Sequence, residues 1–289
     1  MLLLSLVLAH LIADFYLQTD HMVKEKLKNI WKHTAHHFIL NALVLSLFLP
    51  VDYGYKNMNK NLLMPLFLIV ITHFLIDYFK IKLVDTLKAT NEENIKRLCF
   101  FIIDQLLHLG VIIFTCQLFW GLEIKGLFVR LLIKNQVSLG VGSSILFCII
   151  IVILATSVSG HMIKILLGSL PTQLLAFEGK YAFKNERKEV HFEERRVGNR
   201  GLTEEYNYTI FSKHDLSRGK LIGYIERLLV LILTFYSAYP AIGFIVAAKS
   251  IARFKQMDDR DWAEYFLLGT LSSMFLGITL GIVLREFLK

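Results

Sequence analysis

Proline is scarce in this chain, with four among 289 residues, and cysteine is scarcer, with three. The shortage of proline leaves long stretches with no helix breaker. Cys99, Cys116 and Cys148 all fall inside apolar segments. Their number is odd and their spacing is neither C-x-x-C nor that of a zinc finger, which argues against a disulfide framework and against a thiolate zinc site. Charge is sparse as well: 19% of residues are charged and 55% are hydrophobic, with a mean hydropathy of +0.52. That is too apolar for a soluble domain of this size. No aromatic-basic motif accompanies the net charge of +8, so no nucleic acid is expected as a partner. The first segment lacks a basic leader and a small-residue cleavage site, and its apolar run contains His10 and Asp14. It does not read as an ordinary secretory signal.

What is present is a series of hydrophobic runs close to the roughly 20 residues needed to cross hydrocarbon. They cover about residues 1–17, 33–49, 62–79, 98–120, 138–167, 221–237, 241–254 and 262–284. The expected fold is therefore all-α, a polytopic membrane bundle of about eight transmembrane helices with a polar cytoplasmic insert. Four regions follow: a four-helix membrane module at 1–120, a connection and fifth helix at 121–167, a charged insert at 168–220, and a three-helix membrane module at 221–289. The insert's core, 178–220, holds ten Lys or Arg and eight Asp or Glu, a surface suited to a protein partner. The loops after the first, third, fifth and seventh runs are the basic ones, among them Lys24, Lys26, Lys28 and Lys32, and later Lys80, Lys82, Lys88, Lys96 and Arg97. The positive-inside rule makes these loops cytoplasmic. Both termini are then expected on the outer side of the cell (inner) membrane.

Within the first four runs a spacing recurs: His10/Asp14, His33/His37, His73/Asp77 and Asp104/His108. Residues i and i+4 share one helix face, so each run presents two groups able to bind a metal. At 1.5 Å per residue, all four pairs fall toward the cytoplasmic side. An Asp at a helix centre costs about 2.5–3.5 kcal/mol by insertion scales, and a divalent cation would offset that cost. Five histidines and three aspartates suit a two-ion site, or one ion with outer carboxylates orienting the histidines. Zinc is the first choice, with iron or manganese as alternatives. Lys80 or a neighbouring helix can also satisfy an intramembrane Asp, and His36 is spaced to replace His37.

The second half has its own charges: Glu226 and Arg227 early in the sixth run, Lys249 and Arg253 late in the seventh, and Glu264 opening the eighth. Lys249 and Arg253 are i,i+4 and form a basic face that can hold a phosphate or lipid headgroup. The competing expectation is that they pair with Glu226 and Glu264 as helix-to-helix glue. Gly277 and Gly281 form a G-x-x-x-G that permits close helix approach.

The segments HLIADFYLQTD, THFLIDYFK and DQLLH, with the later GYIERLLVLIL, AIGFIVAAKSIARF and EYFLLGTLSS, together resemble the bacterial membrane proteins of domain-of-unknown-function family 3307. Residues 120–218 carry no motif of that resemblance. The N-terminal half is also similar to an inner-membrane metal-dependent hydrolase group. The resemblance implies a membrane location and a role for His10, Asp14, His73, Asp77, Asp104 and His108, and supplies no substrate. A further likeness is local: His33-Thr-Ala-His36-His37 reads H-x-x-H-H, as in membrane di-iron desaturases and hydroxylases. Those have several such boxes; this chain has one, and its other pairs are half Asp.

These patterns lead to an expected metal-dependent hydrolase of the cytoplasmic leaflet, acting on an amphiphilic or phosphate-bearing substrate. A metal-activated water is the nucleophile, with a non-ligating carboxylate among Asp14, Asp77 and Asp104 taking its proton. The alternatives are a metal-ion transporter or a sensor that binds a partner through the insert, and a di-iron oxygenase.

Overall fold

The structure is a computed structural model and describes residues 1–52, 58–86, 94–122, 140–168, 213–258 and 260–288. The charged insert, including Gly198-Asn-Arg-Gly201, lies almost wholly outside the described residues, as does most of the 121–137 connection.

Among the described residues the chain is helical. Helix α1 (Leu2–Ile12) runs into a π-helical turn at Ala13–Leu17. The short α2 (Asp20–Lys24) follows, started by the Thr19 hydroxyl, which accepts a bond from the Met22 amide. Next come α3 (Lys26–Asp52), α4 (Met64–Thr86, entered through a π turn at Asn59–Leu63) and α5 (Asn94–Trp120). Helix α6 (Val141–Ile153) continues through a third π turn, Leu154–Val158, into α7 (Ser159–Leu167). Helices α8 (Lys213–Phe235), α9 (Tyr239–Ala252) and α10 (Arg260–Leu288) complete the fold.

Four helical stretches among the described residues are long and apolar enough to cross a membrane: Asn59–Val84, Asn94–Trp120, Val141–Leu167 and Trp262–Leu288. Leu2–Leu17 and Tyr239–Ala252 are apolar but shorter. The eight spans read from hydropathy thus reduce to four that meet the length and composition of a span. Large apolar side chains cover the outside: Trp31, Phe79, Phe244 and Phe275 are each more than 60% exposed. Water would not tolerate so much apolar surface on a monomer, whereas lipid does. Helix length, composition and this apolar exterior are those of a membrane protein.

Several boundaries differ from those read from hydropathy. Helix α3 starts at Lys26, not near His33, because lysine is a good helix former and its stem can lie along the helix with the ammonium in water. His33 and His37 consequently sit in the third and fourth turns. Helix α4, together with the π turn that enters it, is longer than its hydrophobic run at both ends, and α8 begins about two turns before its own.

Two packed groups of helices share α6 and α7. Helices α1, α3, α4 and α5 enclose a core of Leu6, Leu45, Leu66, Ile69, Val70, Ile112 and Cys116. Helix α1 also packs on α6, where Leu11 and Phe101 of α5 meet Ile150 and Ile153. In the second group α8 lies against α10, where the G-x-x-x-G is used as read. A Cβ added at Gly281 would stand 2.6 Å from the Thr234 Cβ and 2.9 Å from the Leu231 carbonyl, and one at Gly277 would stand 2.9 Å from a Val230 methyl. The backbones approach that closely only because both positions lack a side chain.

Candidate metal centre

On α3, α4 and α5 the buried stripe changes character along its length. In α3 it runs Asn29, Ile30, His33, Thr34, His37, Asn41 and Leu45, at intervals of one to four residues. In α4 it passes from Leu66, Ile69 and Val70 to His73 and Asp77, and in α5 from Asp104 and His108 to Ile112 and Cys116. Packing the apolar portions together brings the polar portions to one level. That is why groups so far apart in sequence meet.

All eight residues of the four pairs converge there. Seven are buried, none more than 6% exposed, and the Asp14 side chain is 13% exposed. Asp14 is the hub. Its Oδ1 accepts from His37 Nε2 at 2.9 Å and lies 3.4 Å from His33 Nε2, while its Oδ2 lies 3.7 Å from His10 Nε2. The π turn that begins at Ala13 widens the helix at this carboxylate, a distortion common at functional positions. Across the site, Asp77 Oδ2 is 3.4 Å from His33 Nε2 and 3.7 Å from His73 Nε2. His33 and His73 face each other through their Nε2 atoms at 3.2 Å. The His37 and His73 rings stack at 3.6 Å between centroids, and His108 lies 4.2 Å from His73 and 5.0 Å from His10.

Two sets within this cluster have donor atoms close enough to hold one ion each: Asp14, His33, His37 and His73, and His73, Asp77 and His108. His108 is oriented for such a role. Its Nδ1–H donates to the Asp104 backbone carbonyl at 2.8 Å, leaving the Nε2 lone pair buried with no hydrogen-bond partner. Backbone anchoring of one ring nitrogen is how ligating histidines are commonly fixed. His10 Nε2 is likewise buried without a hydrogen bond.

Asp104 is present but differently employed. Its Oδ2 accepts from the Lys80 ammonium and from Gln105 Nε2 at 3.4 Å, and the same Gln105 amide donates to Asp14 Oδ2 at 3.0 Å. Asp104 belongs to neither donor set. The possibility that Lys80 satisfies an intramembrane Asp holds at this one position. Of the two adjacent histidines, His37 is the one that turns inward; His36 is only half-buried.

Sequence reasoning missed Gln105, which bridges two carboxylates, and Asn41, which is 1% exposed and donates to the His37 carbonyl. Asn41 continues the i,i+4 series of His33 and His37, and that extension was the available signal.

The charges of the second half do not reach this cluster through any of the contacts described. Lys249 donates to Glu226 at 2.7 Å, the helix-to-helix pairing, and Arg253 lies 6.0 Å from the centre of the Phe266 ring. Glu264 bonds Arg260 on an exposed face of α10. Arg227 does not pair with its neighbour Glu226. Its Nε donates at 2.6 Å to the Ala155 carbonyl within the third π turn, with longer bonds to the Thr156 carbonyl and the Ser273 hydroxyl.

Residues 2–139 match the model of the family described as "Protein of unknown function (DUF3307)". That stretch carries all four His/Asp pairs. The late motifs, from Gly223 onward, lie beyond it. No curated protein and no solved structure matches the chain, and the similarity to metal-dependent hydrolases rests on the His/Asp pattern alone.

Proposed function

We propose that this protein is a metal-dependent hydrolase of the cell membrane, with its centre at the level of Asp14, His37 and His73. The observation that carries the proposal is the concentration of five imidazoles and two carboxylates, from four helices, into one buried space. Buried charges need pairing, and a divalent cation suits neutral imidazole and ionised carboxylate together. Such an ion, most naturally zinc, would supply Lewis acidity and an activated water. Asp104 holds Lys80 and Gln105 through Oδ2 alone, and its Oδ1 and the His10 Nε2, both buried without a hydrogen bond and outside the donor sets, are the groups left to take a proton.

Access fits the cytoplasmic leaflet. A cavity lined by Gln18, Met22, Lys26, Asn29, Ile30, His33, Asp77 and Ile81 opens beside the cluster at the α2 end. Lys26 among its lining residues favours an anionic group, such as a phosphate, on an amphiphilic substrate. Lys249 and Arg253 remain a second, more distant basic face for a headgroup. The topology that accompanies this reading sets the termini outside the inner membrane and the insert on the cytoplasmic side.

The apolar core beyond the cluster favours an enzyme over a conduit. Leu6, Leu45, Leu66, Ile69 and Ile112 close the far side of the four-helix module, and an ion has no polar route through them. An oxygenase would require iron.

The test is elemental analysis of detergent-purified protein, paired with hydrolysis of chromogenic phosphate and acyl esters before and after chelation. The expected result is stoichiometric zinc and ester hydrolysis that chelation removes. Protein with no stoichiometric metal would end the proposal, and bound iron would move it to oxidative chemistry.

A further inference from the structure

The donor atoms of the cluster do not surround one point. We propose that six of them divide three and three between two neighbouring divalent ions, Asp14, His33 and His37 for one and His73, Asp77 and His108 for the other. This rests on the metal-centre reading above and specifies its nuclearity, its ligand sets and the kind of reaction it can serve.

Three observations carry the division. First, the two donor sets overlap in one residue, His73. Assigning His73 to the second set gives each ion one carboxylate and two imidazoles. Three protein ligands with an open fourth position is the pattern of a catalytic zinc, whereas a structural zinc closes all four.

Second, His33 Nε2 stands 3.4 Å from both Asp14 Oδ1 and Asp77 Oδ2, and 3.2 Å from His73 Nε2. The two sets therefore abut with no residue between them. Ions held by abutting sets can share one bridging water, as two-ion hydrolytic sites do at about 3.5–4 Å separation.

Third, one of the sets contains a ligand with nothing else to do. His108 is 3% exposed, its ring is fixed through Nδ1, and its Nε2 has no hydrogen-bond partner. It lines a cavity with His10, Asn41, His73 and Ile112. Leaving such a nitrogen buried and unpaired is destabilising, and a cation at this position removes that cost. A single ion on the Asp14 set leaves His108 without a function.

A pair of Lewis acids sharing a nucleophile acts best on a substrate whose attacked centre bears two oxygens, one for each ion. A phosphoester supplies that arrangement, and Lys26, which lines a cavity with His33 and Asp77, has the matching charge. The inferred substrate class is a phosphate ester, either a lipid headgroup or a soluble one.

The experiment measures metal stoichiometry by equilibrium dialysis of the full-length protein in detergent against zinc, and electron paramagnetic resonance after manganese loading. The variants are His37→Gln and His108→Gln, with Asp77→Asn as a second probe of the His108 set. Folding of each is checked by helical circular dichroism and gel filtration. Wild type is expected to hold about two ions with a spin-coupled manganese signal. Each single variant is expected to hold about one ion with an uncoupled signal, and His37→Gln/His108→Gln none. One ion in wild type, unchanged by His108→Gln and Asp77→Asn, overturns the two-ion division and leaves the single-ion hydrolase standing. No ion in wild type overturns both, and ions retained by the double variant are adventitious. Hydrolysis by the loaded protein is then compared on phosphatidic acid vesicles and on soluble p-nitrophenyl phosphate, which separates the lipid from the soluble source. Loss of neither substrate, alongside cleavage of uncharged acyl esters, removes the phosphate class.

Discussion

Lys80 on α4 and Asp104 on α5 form an ion pair across the helix interface, with the carboxylate 4% exposed and the lysine side chain 22% exposed. The pair explains why Asp104 stands beside the histidines without joining either donor set. It also fixes the α4–α5 register at the level of the centre, since Gln105 carries the connection on to Asp14.

Removing the lysine leaves Asp104 buried and unpaired. Lys80→Met is therefore expected to lower stability by about 1–3 kcal/mol, less than a fully buried pair would lose because Lys80 is partly solvated. Asp104→Asn keeps a hydrogen-bond acceptor for the ammonium and should cost less. Neither change should reduce bound metal in protein that remains folded. Thermal unfolding in detergent and elemental analysis of the same samples check both parts; metal lost from folded Asp104→Asn would make Asp104 a ligand after all.

Asp14 should be the position least tolerant of substitution. Three imidazoles approach its carboxylate, and an amide offers no charge to an ion and a donor where an acceptor is needed. Asp14→Asn is expected to lose at least ten-fold in zinc affinity while α1 still inserts, because a neutral side chain enters the membrane more readily. Competition against a fluorescent zinc chelator measures this. Unchanged affinity would remove Asp14 from the site.

The i,i+4 pairs made the centre legible because helix geometry alone brings such residues to one face, and the basic loops placed the pairs at one level. The pattern could not assign roles among equals. Asp104 has the same spacing to His108 as Asp77 has to His73, and only the arrival of Lys80 from the next helix separates them. Helix starts were misread for a related reason: hydropathy marks where lipid contact begins, and the lysines of 26–32 continue the helix beyond it. The use of Arg227 was not readable at all. A π turn has no hydropathy signature, so nothing in the sequence announced the carbonyl that Arg227 binds.

Arg227 makes its own prediction. It is 4% exposed, and its short bond goes to the carbonyl of Ala155, inside the turn where the regular helical ladder is interrupted. Arg227→Met should destabilise the α6–α8–α10 contact by about 1–3 kcal/mol by leaving that carbonyl without its donor. Arg227→Lys should rescue only part, since an ammonium cannot reach two carbonyls and the Ser273 hydroxyl in the same fork. Full stability of the methionine variant would show that the π turn needs no outside donor.

The α8–α10 contact can be tested separately from any chemistry. Gly281 leaves no room for even a methyl group against Thr234 and the Leu231 carbonyl. Gly281→Val is expected to force the helices apart and lower the unfolding temperature, with a smaller effect from Gly110→Val, where an added Cβ meets nothing within 4 Å. Bound metal per folded molecule should be the same in both, because the centre belongs to α1, α3, α4 and α5.

Whether an ion that reaches the histidines can go further is decided by the apolar core next to them. Asn41 is the last buried polar residue on α3 before Leu45, and Leu6, Leu66 and Ile112 meet Leu45 from the other three helices. An ion would have to shed its ligands and enter hydrocarbon, a penalty of several kcal/mol for each charge even after relaxation. Proteoliposomes should therefore bind zinc at the centre and show no time-dependent accumulation of zinc or manganese in the lumen, with or without a pH gradient. Enlarging the gap with Leu45→Ser should not create uptake, because Leu6, Leu66 and Ile112 remain. Zinc accumulation that His37→Gln abolishes would reverse the assignment, making the cluster a station on a transport path instead of the seat of a reaction.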